Sequence, residues 1–340
     1  MKVTVFDIAK KAGVSQSTVS KVLNNYSQIK ESTRDKVLQA IKELEFTPDL
    51  VARSMATNKS QTVGLILGDI ANPFYSETAK VIISEAREKG YDVIVSDTNY
   101  DTLNLEKSIR NLMARRVDGI LIASIDRDNT YVKDIYQSGF PIMIYNRKPD
   151  DDDINFVVLN NQKGSHLAVN HLVELGHRRI SFISGSTKYS TFHQRYIGYK
   201  KALVENGIQY DAELVYNREL SYESIYEFTS NVLEKENRPT CFFAATDSLA
   251  ISVMDSLIRM NIQIPNEISV IGFDNINISS SPLINLTTIS QHKSTMAKLA
   301  LENLLLLINE DKTIDRPIQI MVEPELIIRK TTGPVLTLSK

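Results

Sequence analysis

Residues 4–25 have the sequence TVFDIAKKAGVSQSTVSKVLNN, whose spacing matches two short helices joined by a sharp turn. Gly13 can adopt the positive φ angle that such a turn requires. The apolar residues form one face on each helix: Ile8, Ala9 and Ala12 on the first, and Val14, Val19 and Val22 on the second. This pattern predicts a helix-turn-helix, a motif that places its second helix in the major groove of DNA.

The predicted helices also carry residues that favour helix starts. Thr4 is followed by Asp7 three residues later, so the two can form a capping box at the first helix. Ser15 can cap the second helix, which places the predicted recognition helix at residues 15–23. Ser32, with Asp35 three residues later, is expected to cap a third helix. Three such helices can enclose a small apolar core.

The outer face of the recognition helix is polar. Three of its side chains can reach base edges in the major groove: Gln16, Ser17 and Lys21. A second group is expected to contact phosphates, which position the helix without determining sequence: Ser20, Asn24 and Asn25. The capping residues Thr4 and Ser15 complete the predicted DNA-binding set. An amphipathic helix pair that packs against a partner is the alternative, and the many positions that fit the docking motif weigh against it.

The charge of the chain is unevenly distributed. Its 340 residues include 39 Lys and Arg and 41 Asp and Glu, which gives a formal net charge of −2. Residues 1–60 contain ten basic and six acidic side chains, whereas the remaining residues contain 29 basic and 35 acidic side chains. A basic head on an acidic body is expected when only the head meets phosphate.

Composition also limits the compartment. A single cysteine, Cys241, excludes an intramolecular disulfide and lies in a strand-like apolar run, so we expect a buried thiol in a reducing environment. No apolar run approaches the length of a membrane span. Asp7 and Lys10 interrupt the segment where a signal peptide would need apolar residues. The sequence therefore predicts a cytoplasmic protein with no membrane partner.

From residue 63 onward, short apolar runs alternate with amphipathic helices. The predicted strands begin with VGLIL (63–67), DVIVS (92–96), GILIA (119–123) and PIMIY (141–145), and a second series runs from FVVL (156–159) to ISVIGF (268–273). This alternation predicts an α/β core of two lobes, each a parallel sheet flanked by helices. The expected division is a helix-turn-helix headpiece over residues 1–47, a hinge helix and linker over 48–60, and the core over 61–340. Lobe 1 is expected at about 61–160 plus 292–320, and lobe 2 at about 161–291 plus 321–334.

Polar residues follow the predicted strands. Ligands of open α/β sheets bind beyond the carboxyl ends of the strands. Those ends carry Asp69, Asp97, Ser124, Asn146, Arg147, Thr246, Asp247 and Asp274. Phe74 and Tyr75 add aromatic faces on which a sugar ring or a base can stack. A cleft between the lobes is therefore expected to bind a small polar molecule.

The chain resembles the lactose/galactose-repressor (LacI/GalR) family of bacterial transcription regulators over its whole length. The similar segments are the helix-turn-helix, VARSM (51–55), LVELGHRRISFISG (172–185), RYIGYKKAL (195–203), ATDSLA (245–250), IPNEISVIGFDN (264–275) and LTTISQ (286–291). The resemblance implies a headpiece, a hinge helix and a core like that of periplasmic sugar-binding proteins. It also implies a homodimer that binds a pseudo-palindromic double-stranded DNA operator.

The resemblance assigns further residues. The family usually inserts a leucine between base steps of the minor groove, and that position is Met55 here, which is apolar and can serve the same purpose. Family effector contacts correspond to Asp69, Asn72, Phe74, Tyr75, Asn146, Arg195, Thr246, Asp247, Asp274 and Gln291. Asn146 and Thr246 replace the Asp and Asn of many sugar-responsive members, and these changes leave the effector's identity open. Arg195 suits hydroxyls or a carboxylate, so neutral sugars and sugar acids are both possible.

The implied mechanism is linkage, in which the effector favours one arrangement of the lobes and thereby changes the hinge helices at the DNA end of the dimer. The effector can act as an inducer or as a co-repressor. The alternative is a catabolite-control-type regulator activated by a phosphorylated protein partner. The role that this resemblance implies is that of a repressor of carbohydrate-metabolism genes.

Other classes fit the sequence poorly. VGLILGD (63–69) lacks the G-x-G-x-x-G spacing of dinucleotide-binding enzymes, and GSTKYS (185–190) is not a phosphate-binding loop. His177, after the helix-ending Gly176, is expected to act at a helix C-terminus rather than in catalysis. Consecutive carboxylates at residues 150–153 cannot all face one cation. An exported transport-type binding protein would need a signal peptide, and the basic headpiece also argues against it. We predict no enzymatic activity, no cofactor and no metal ion.

Overall fold

The computed structural model describes residues 3–23, 26, 28–46, 59–150, 153–218, 220–309 and 316–335. The chain forms two compact units, which are divided between Ser60 and Gln61. Most of the predicted hinge, including Met55, lies outside the described residues, and so do Asn24 and Asn25. Within the described ranges, no helix has both the length and the apolar character needed to cross a membrane.

The described part of the first unit contains three helices, which are α1 (Val5–Ala12), α2 (Gln16–Leu23) and α3 (Glu31–Glu43). Their apolar faces meet in one core that consists of Ile8, Ala9, Val19, Val22, Val37 and Ala40. The predicted capping box is confirmed, because Thr4 and Asp7 bond each other reciprocally. The turn is also as expected, since Gly13 has a φ of +67°.

The two expected serine caps have different outcomes. The Ser15 hydroxyl accepts a hydrogen bond from the Thr18 amide at 3.1 Å, which confirms the cap of α2. The prediction for Ser32 is wrong, because α3 begins at Glu31, two residues before the start that a Ser32 cap implies, and no side chain caps it. Ser32 instead lies inside the first turn of α3, where it cannot occupy the capping position.

The second unit is built on two six-stranded sheets, as the alternating pattern predicts. The strands, numbered in chain order, are β1 (Thr62–Leu67), β2 (Asp92–Asp97), β3 (Gly119–Ile122), β4 (Ile142–Tyr145), β5 (Phe156–Leu159), β6 (Ile180–Ile183), β7 (Val215–Tyr216), β8 (Cys241–Ala244), β9 (Ser269–Asp274), β10 (Thr287–Ser290), β11 (Gln319–Val322) and β12 (Glu325–Ile327). The first sheet has the order β11-β5-β4-β3-β1-β2, and the second has the order β12-β10-β9-β8-β6-β7. Every neighbouring pair is parallel except β10 and β12, which are antiparallel. Cys241 is fully buried, as expected.

Helices flank both sheets. They are α4 (Pro73–Glu88), α5 (Thr102–Ala114), α6 (Tyr131–Gln137), α7 (Asn161–Glu174), α8 (Ser190–Glu205), α9 (Tyr222–Leu233), α10 (Asp247–Arg259) and α11 (Lys293–Asn309). Helix α11 packs on α4 and on β3, β4 and β5 of the first sheet. Helices α7 and α8 pack against each other at Gly198, where a Cβ atom would lie 2.5 Å from the backbone oxygen of Gln162.

The chain passes between the lobes three times, after β5, after β10 and after β11. The strand at residues 156–159, which the sequence assigns to the second series of strands, belongs to the first sheet. The expected lobe boundary between residues 320 and 321 also moves. It would divide β11, whose four residues all pair with β5, so the boundary lies between Val322 and Glu325.

His177 acts at the C-terminus of α7 through its backbone, as expected, because its amide donates to the Leu172 carbonyl at 3.0 Å. Its ring is buried, and its two nitrogens lie 2.8 Å from Thr240 Oγ1 and 3.1 Å from Ser269 Oγ. Burial lowers the pKa of this histidine below its ordinary value. The neutral ring therefore also connects the amino ends of β8 and β9.

Candidate functional site

The outward face of α2 is exposed in the first unit. Gln16, Ser17, Ser20 and Lys21 are all exposed, and Thr4 and Ser15 are exposed as well, whereas Val19 and Val22 are buried on the opposite face. The side chains of Gln16 and Lys21 form no hydrogen bond or ion pair with another described residue, although the Lys21 carbonyl accepts a hydrogen bond from the Tyr26 amide. The Ser17 hydroxyl lies 2.7 Å from the Ser15 hydroxyl. The two longest side chains of this face are thus free to reach a DNA groove.

The second unit contains a cavity of about 770 Å³ between the carboxyl ends of the two sheets. This volume is within the range of about 300–1,000 Å³ that is usual for small-molecule sites. The predicted effector residues that line it are Asn72, Phe74, Tyr75, Asn146, Arg195, Thr246, Asp274 and Gln291. Residues from both lobes thus meet around one space.

Two predicted effector residues do not line the cavity. The Asp69 carboxylate accepts a hydrogen bond from the Ala71 amide at 2.8 Å and shapes its own loop. Asp247 is fully buried, and its oxygens accept from Ser279 Oγ at 2.6 Å, the Ile276 amide at 2.9 Å and Thr288 Oγ1 at 2.5 Å. Asp247 thus supports the loop after β9 from behind and does not face a ligand.

A buried ion pair forms the floor of the cavity. Arg195 Nη1 lies 3.2 Å from Asp274 Oδ1, and both residues are almost completely buried. The same guanidinium donates to Asn161 Oδ1 at 2.8 Å and stacks 3.6 Å above the ring of Phe273. Gln291 Nε2 also donates to Asp274 Oδ1. The charge of Arg195 is therefore balanced within the protein.

Burial changes the ionisation of this pair. It raises the pKa of Asp274 to about 6, while the positive charge of Arg195 acts in the opposite direction. Burial also lowers the pKa of Arg195 to about 10. Asp274 Oδ2 accepts no hydrogen bond from a described residue, and Gln291 Oε1 is buried without a partner there. These two acceptors are suited to the hydroxyl groups of a ligand.

Two cavity residues have unusual backbone angles. Asn146, directly after β4, has a φ of +68°, and Asp274, at the end of β9, has a φ of +122°. Positive φ is uncommon for residues other than glycine, although Asn and Asp tolerate it best. Such strain is often found at binding sites, where the surrounding structure holds it in place.

A group of aromatic rings surrounds Arg147 in the cavity wall. The guanidinium carbon of Arg147 lies 3.8 Å from the ring centre of Tyr189, 5.2 Å from that of Tyr100, 5.6 Å from that of Phe192 and 5.9 Å from that of Tyr75. Tyr75 and Tyr100 belong to lobe 1, whereas Tyr189 and Phe192 belong to lobe 2. Arg147 thus packs against residues of both lobes.

The sequence placed Arg147 beside Asn146 at a strand end, although not among the family effector contacts, and it gave no role to Tyr100, Tyr189 or Phe192. Tyr100 lies in the loop after β2, and Tyr189 lies in the loop after β6. Because those strand ends border the ligand cleft of an open α/β sheet, the same rule that indicated Asn146 and Arg147 could also have found these two tyrosines. Among the described residues, no group of three His, Cys, Asp or Glu side chains is placed to hold a metal ion.

Comparison with known proteins identifies the family. The family model for bacterial regulatory proteins of the lacI family matches residues 4–49, and a periplasmic binding protein-like domain matches residues 169–332. Catabolite control protein A of Priestia megaterium is 32% identical over 319 residues, which cover 94% of this chain and 96% of that protein. This chain belongs to the lacI family of bacterial regulatory proteins. The lacI-family match includes the whole of α1, α2 and α3.

Two further relatives extend over nearly the whole chain. The HTH-type transcriptional repressor PurR of Mannheimia succiniciproducens is 32% identical over 335 residues, with 98% of this chain and 99% of the relative covered. The structure of the lac repressor dimer bound to operator and the anti-inducer ONPF has a TM-score of 0.86 and 28% identity, and the match covers 98% of this chain and 100% of that one. The chain is therefore a DNA-binding transcription regulator with an effector-binding core, and not an enzyme.

Proposed function

We propose that this lacI-family regulator represses genes of carbohydrate metabolism, and that an effector in the cavity lowers or raises its affinity for the operator. The observation that carries this proposal is the large cavity between the lobes, where amide, carboxylate and guanidinium groups meet beside aromatic rings. Such a combination suits a small polyhydroxylated ligand, whose ring stacks and whose hydroxyls are hydrogen-bonded.

The proposed DNA contacts are those of α2. Gln16, Ser17 and Lys21 are assigned to base edges, and Ser20 to phosphate. Their exposure, with Val19 and Val22 buried behind them, supports this assignment. A homodimer on a pseudo-palindromic operator would present two copies of the helix to successive major grooves. Because the operator is chromosomal DNA, we place the protein in the cytoplasm.

The effector is proposed to act through linkage. It contacts groups of both lobes, so it binds one arrangement of the lobes better than another and shifts their equilibrium by that difference in affinity. Asn72 and Tyr75 of lobe 1 and Arg195 and Asp274 of lobe 2 are the proposed contacts on the two sides, together with Phe74, Asn146, Thr246 and Gln291.

A gel-shift experiment tests the DNA assignment. The purified protein should shift a symmetric site upstream of sugar-metabolism genes, and Lys21→Ala should weaken or redirect that binding because it removes a contact to a base edge. Lys107→Ala is the control variant. Lys107 is exposed on α5 of the second unit, so this variant removes the same charge away from the helix-turn-helix and should leave operator affinity unchanged. Equal affinity of the unaltered protein for operator and scrambled DNA at physiological salt would contradict the proposal.

A further inference from the structure

Arg147 is a buried cation with which no carboxylate of the described residues pairs. Its side chain lines the cavity, and only 6% of the residue is exposed. Nη1 donates to Ser124 Oγ at 3.1 Å, whereas Nε is buried with no hydrogen-bond partner. Nη2 likewise donates to no described residue, and no described carboxylate forms an ion pair with this arginine. Burying a charge is costly unless an opposite charge pairs with it.

The other cations of the cavity differ from Arg147. Arg195 is paired with Asp274, and Lys188 lies 3.6 Å from Asp126 with about half of its side chain exposed. Arg218 is exposed to solvent. Among the described residues of the cavity wall, Arg147 is thus the buried cation without an ion-pair partner, and a bound anion could balance its charge. The guanidinium carbon lies 3.8 Å from the ring centre of Tyr189, a contact that attracts the cation and uses none of its N–H groups as hydrogen-bond donors.

Two groups of polar atoms that line the cavity are chemically complementary to a sugar acid. Nε and Nη2 of a guanidinium form a fork of parallel N–H groups that matches the two oxygens of a planar carboxylate. Asp274 Oδ2 and Gln291 Oε1 are acceptors that suit ligand hydroxyls. One unbalanced guanidinium matches a single negative charge better than it matches a phosphate dianion.

We propose that the effector is a hydroxylated carboxylic acid of the hexuronate or aldonate class, with its carboxylate on Arg147 and its hydroxyls on Asp274 and Gln291. The inference rests on the proposed function, since it takes the cavity to be the effector site. A neutral sugar would leave the Arg147 charge uncompensated in the site. This charge therefore favours a sugar acid over a neutral sugar as the effector.

Isothermal titration calorimetry on the full-length protein tests the charge preference directly. Each acid is compared with a neutral counterpart of the same size: D-glucuronate with D-glucose, D-galacturonate with D-galactose, and D-gluconate with D-glucitol. At least one acid should bind about tenfold or more tightly than its counterpart, as expected for a charge-assisted hydrogen bond. Equal affinities, a preference for the neutral compounds, or no binding by any of the acids would overturn the inference.

Variants test the residue assignment. Arg147→Gln should reduce the affinity for the preferred acid to that for its neutral counterpart. Arg147→Lys should retain part of the preference, because it keeps the charge and loses the fork. Arg110→Gln, whose arginine pairs with Glu106 on the exposed surface of α5, is the charge-matched control and should bind like the unaltered protein. Unchanged acid affinity in Arg147→Gln protein that melts normally would overturn the assignment.

Two further outcomes separate this inference from the proposed function. D-glucose 6-phosphate binding more tightly than D-glucuronate would overturn the carboxylate assignment. A neutral sugar could bind tightly and change operator affinity, and the Asp274→Asn variant could abolish this binding. That result would overturn the inference while the proposed function stands. An acid that depends on Arg147 for binding but leaves operator affinity unchanged would support the inference and contradict the proposed control by effector.

Discussion

Replacing Asp274 with alanine should destabilise the second unit strongly without affecting operator binding. The carboxylate pairs with Arg195 at 3.2 Å, and both groups are buried, so its removal leaves the guanidinium uncompensated. Breaking a buried pair from one side costs about 3–5 kcal/mol. Gln291 Nε2 also loses its acceptor, whereas Asp247 loses a like-charged neighbour, which offsets part of the cost. We therefore expect the free energy of unfolding to fall by about 3–4 kcal/mol, which is near the lower end of the range for breaking a buried ion pair.

Urea unfolding of the second unit measures this loss. The chain has 14 tyrosines and no tryptophan, so tyrosine fluorescence together with far-UV circular dichroism can follow the transition. Operator affinity should be retained, because the apolar core of the first unit contains none of the residues involved. The effector response should be lost, since Asp274 is a proposed effector contact.

Glu323→Ala is the matched control for the loss of a carboxylate. Glu323 pairs with Lys163 at 2.6 Å, but more than half of each side chain is exposed, so solvent screens the pair and its removal should leave the urea midpoint almost unchanged. Asp274→Asn keeps an acceptor oxygen in place and should cost less than Asp274→Ala. If Asp274→Ala destabilised the protein no more than Glu323→Ala does, the argument from burial and pairing would be wrong.

Three other predictions follow from the same structure. Gly198→Ala should cost about 1–3 kcal/mol in urea unfolding, because its Cβ would press on the backbone of Gln162; an unchanged midpoint would refute the close packing of α7 and α8. Burial raises the pKa of Asp247 to about 7 and that of Asp274 to about 6, so the folded core retains protons that the unfolded chain releases. The contribution of these groups to the free energy of unfolding should therefore be greatest below about pH 4 and decline as the pH rises through 6 to 7, and Asp247→Asn should flatten this dependence. The logarithm of operator affinity should fall linearly with the logarithm of salt concentration. If the Lys21 side chain contacts a phosphate as well as a base, Lys21→Ala should reduce the magnitude of this slope by about one. If Lys21 contacts only a base, the slope should be unchanged.

Local patterns in the sequence determined most of the fold. The capping box of Thr4 and Asp7, the turn at Gly13 and the spacing of apolar residues fix the helix-turn-helix, because each depends on neighbours within a few residues. The alternation of apolar runs and helical segments determined two parallel sheets for the same reason. The exception among the caps is Ser32, which shows the limit of such signals, since α3 begins two residues earlier than expected and has no side-chain cap.

The cavity was only partly accessible to this reasoning. The rule that ligands bind beyond strand ends placed Asn146 and Asp274 correctly among the lining residues. It could not distinguish a side chain in front of a strand end from one behind it, so Asp247 was expected in the cleft although the loop after β9 encloses it.

The partners of the two buried arginines of the cavity were decided by tertiary structure alone. Arg195 meets Asp274 across 79 positions of the chain, whereas Arg147 meets the rings of Tyr189 and Phe192 from the other lobe and pairs with no carboxylate of the described residues. Whether a buried charge is balanced depends on contacts between distant segments, and these arise only when both sheets have formed and packed around the cavity. The sequence thus determined that a polar cleft exists, and the packing of the lobes decided which of its buried charges are paired.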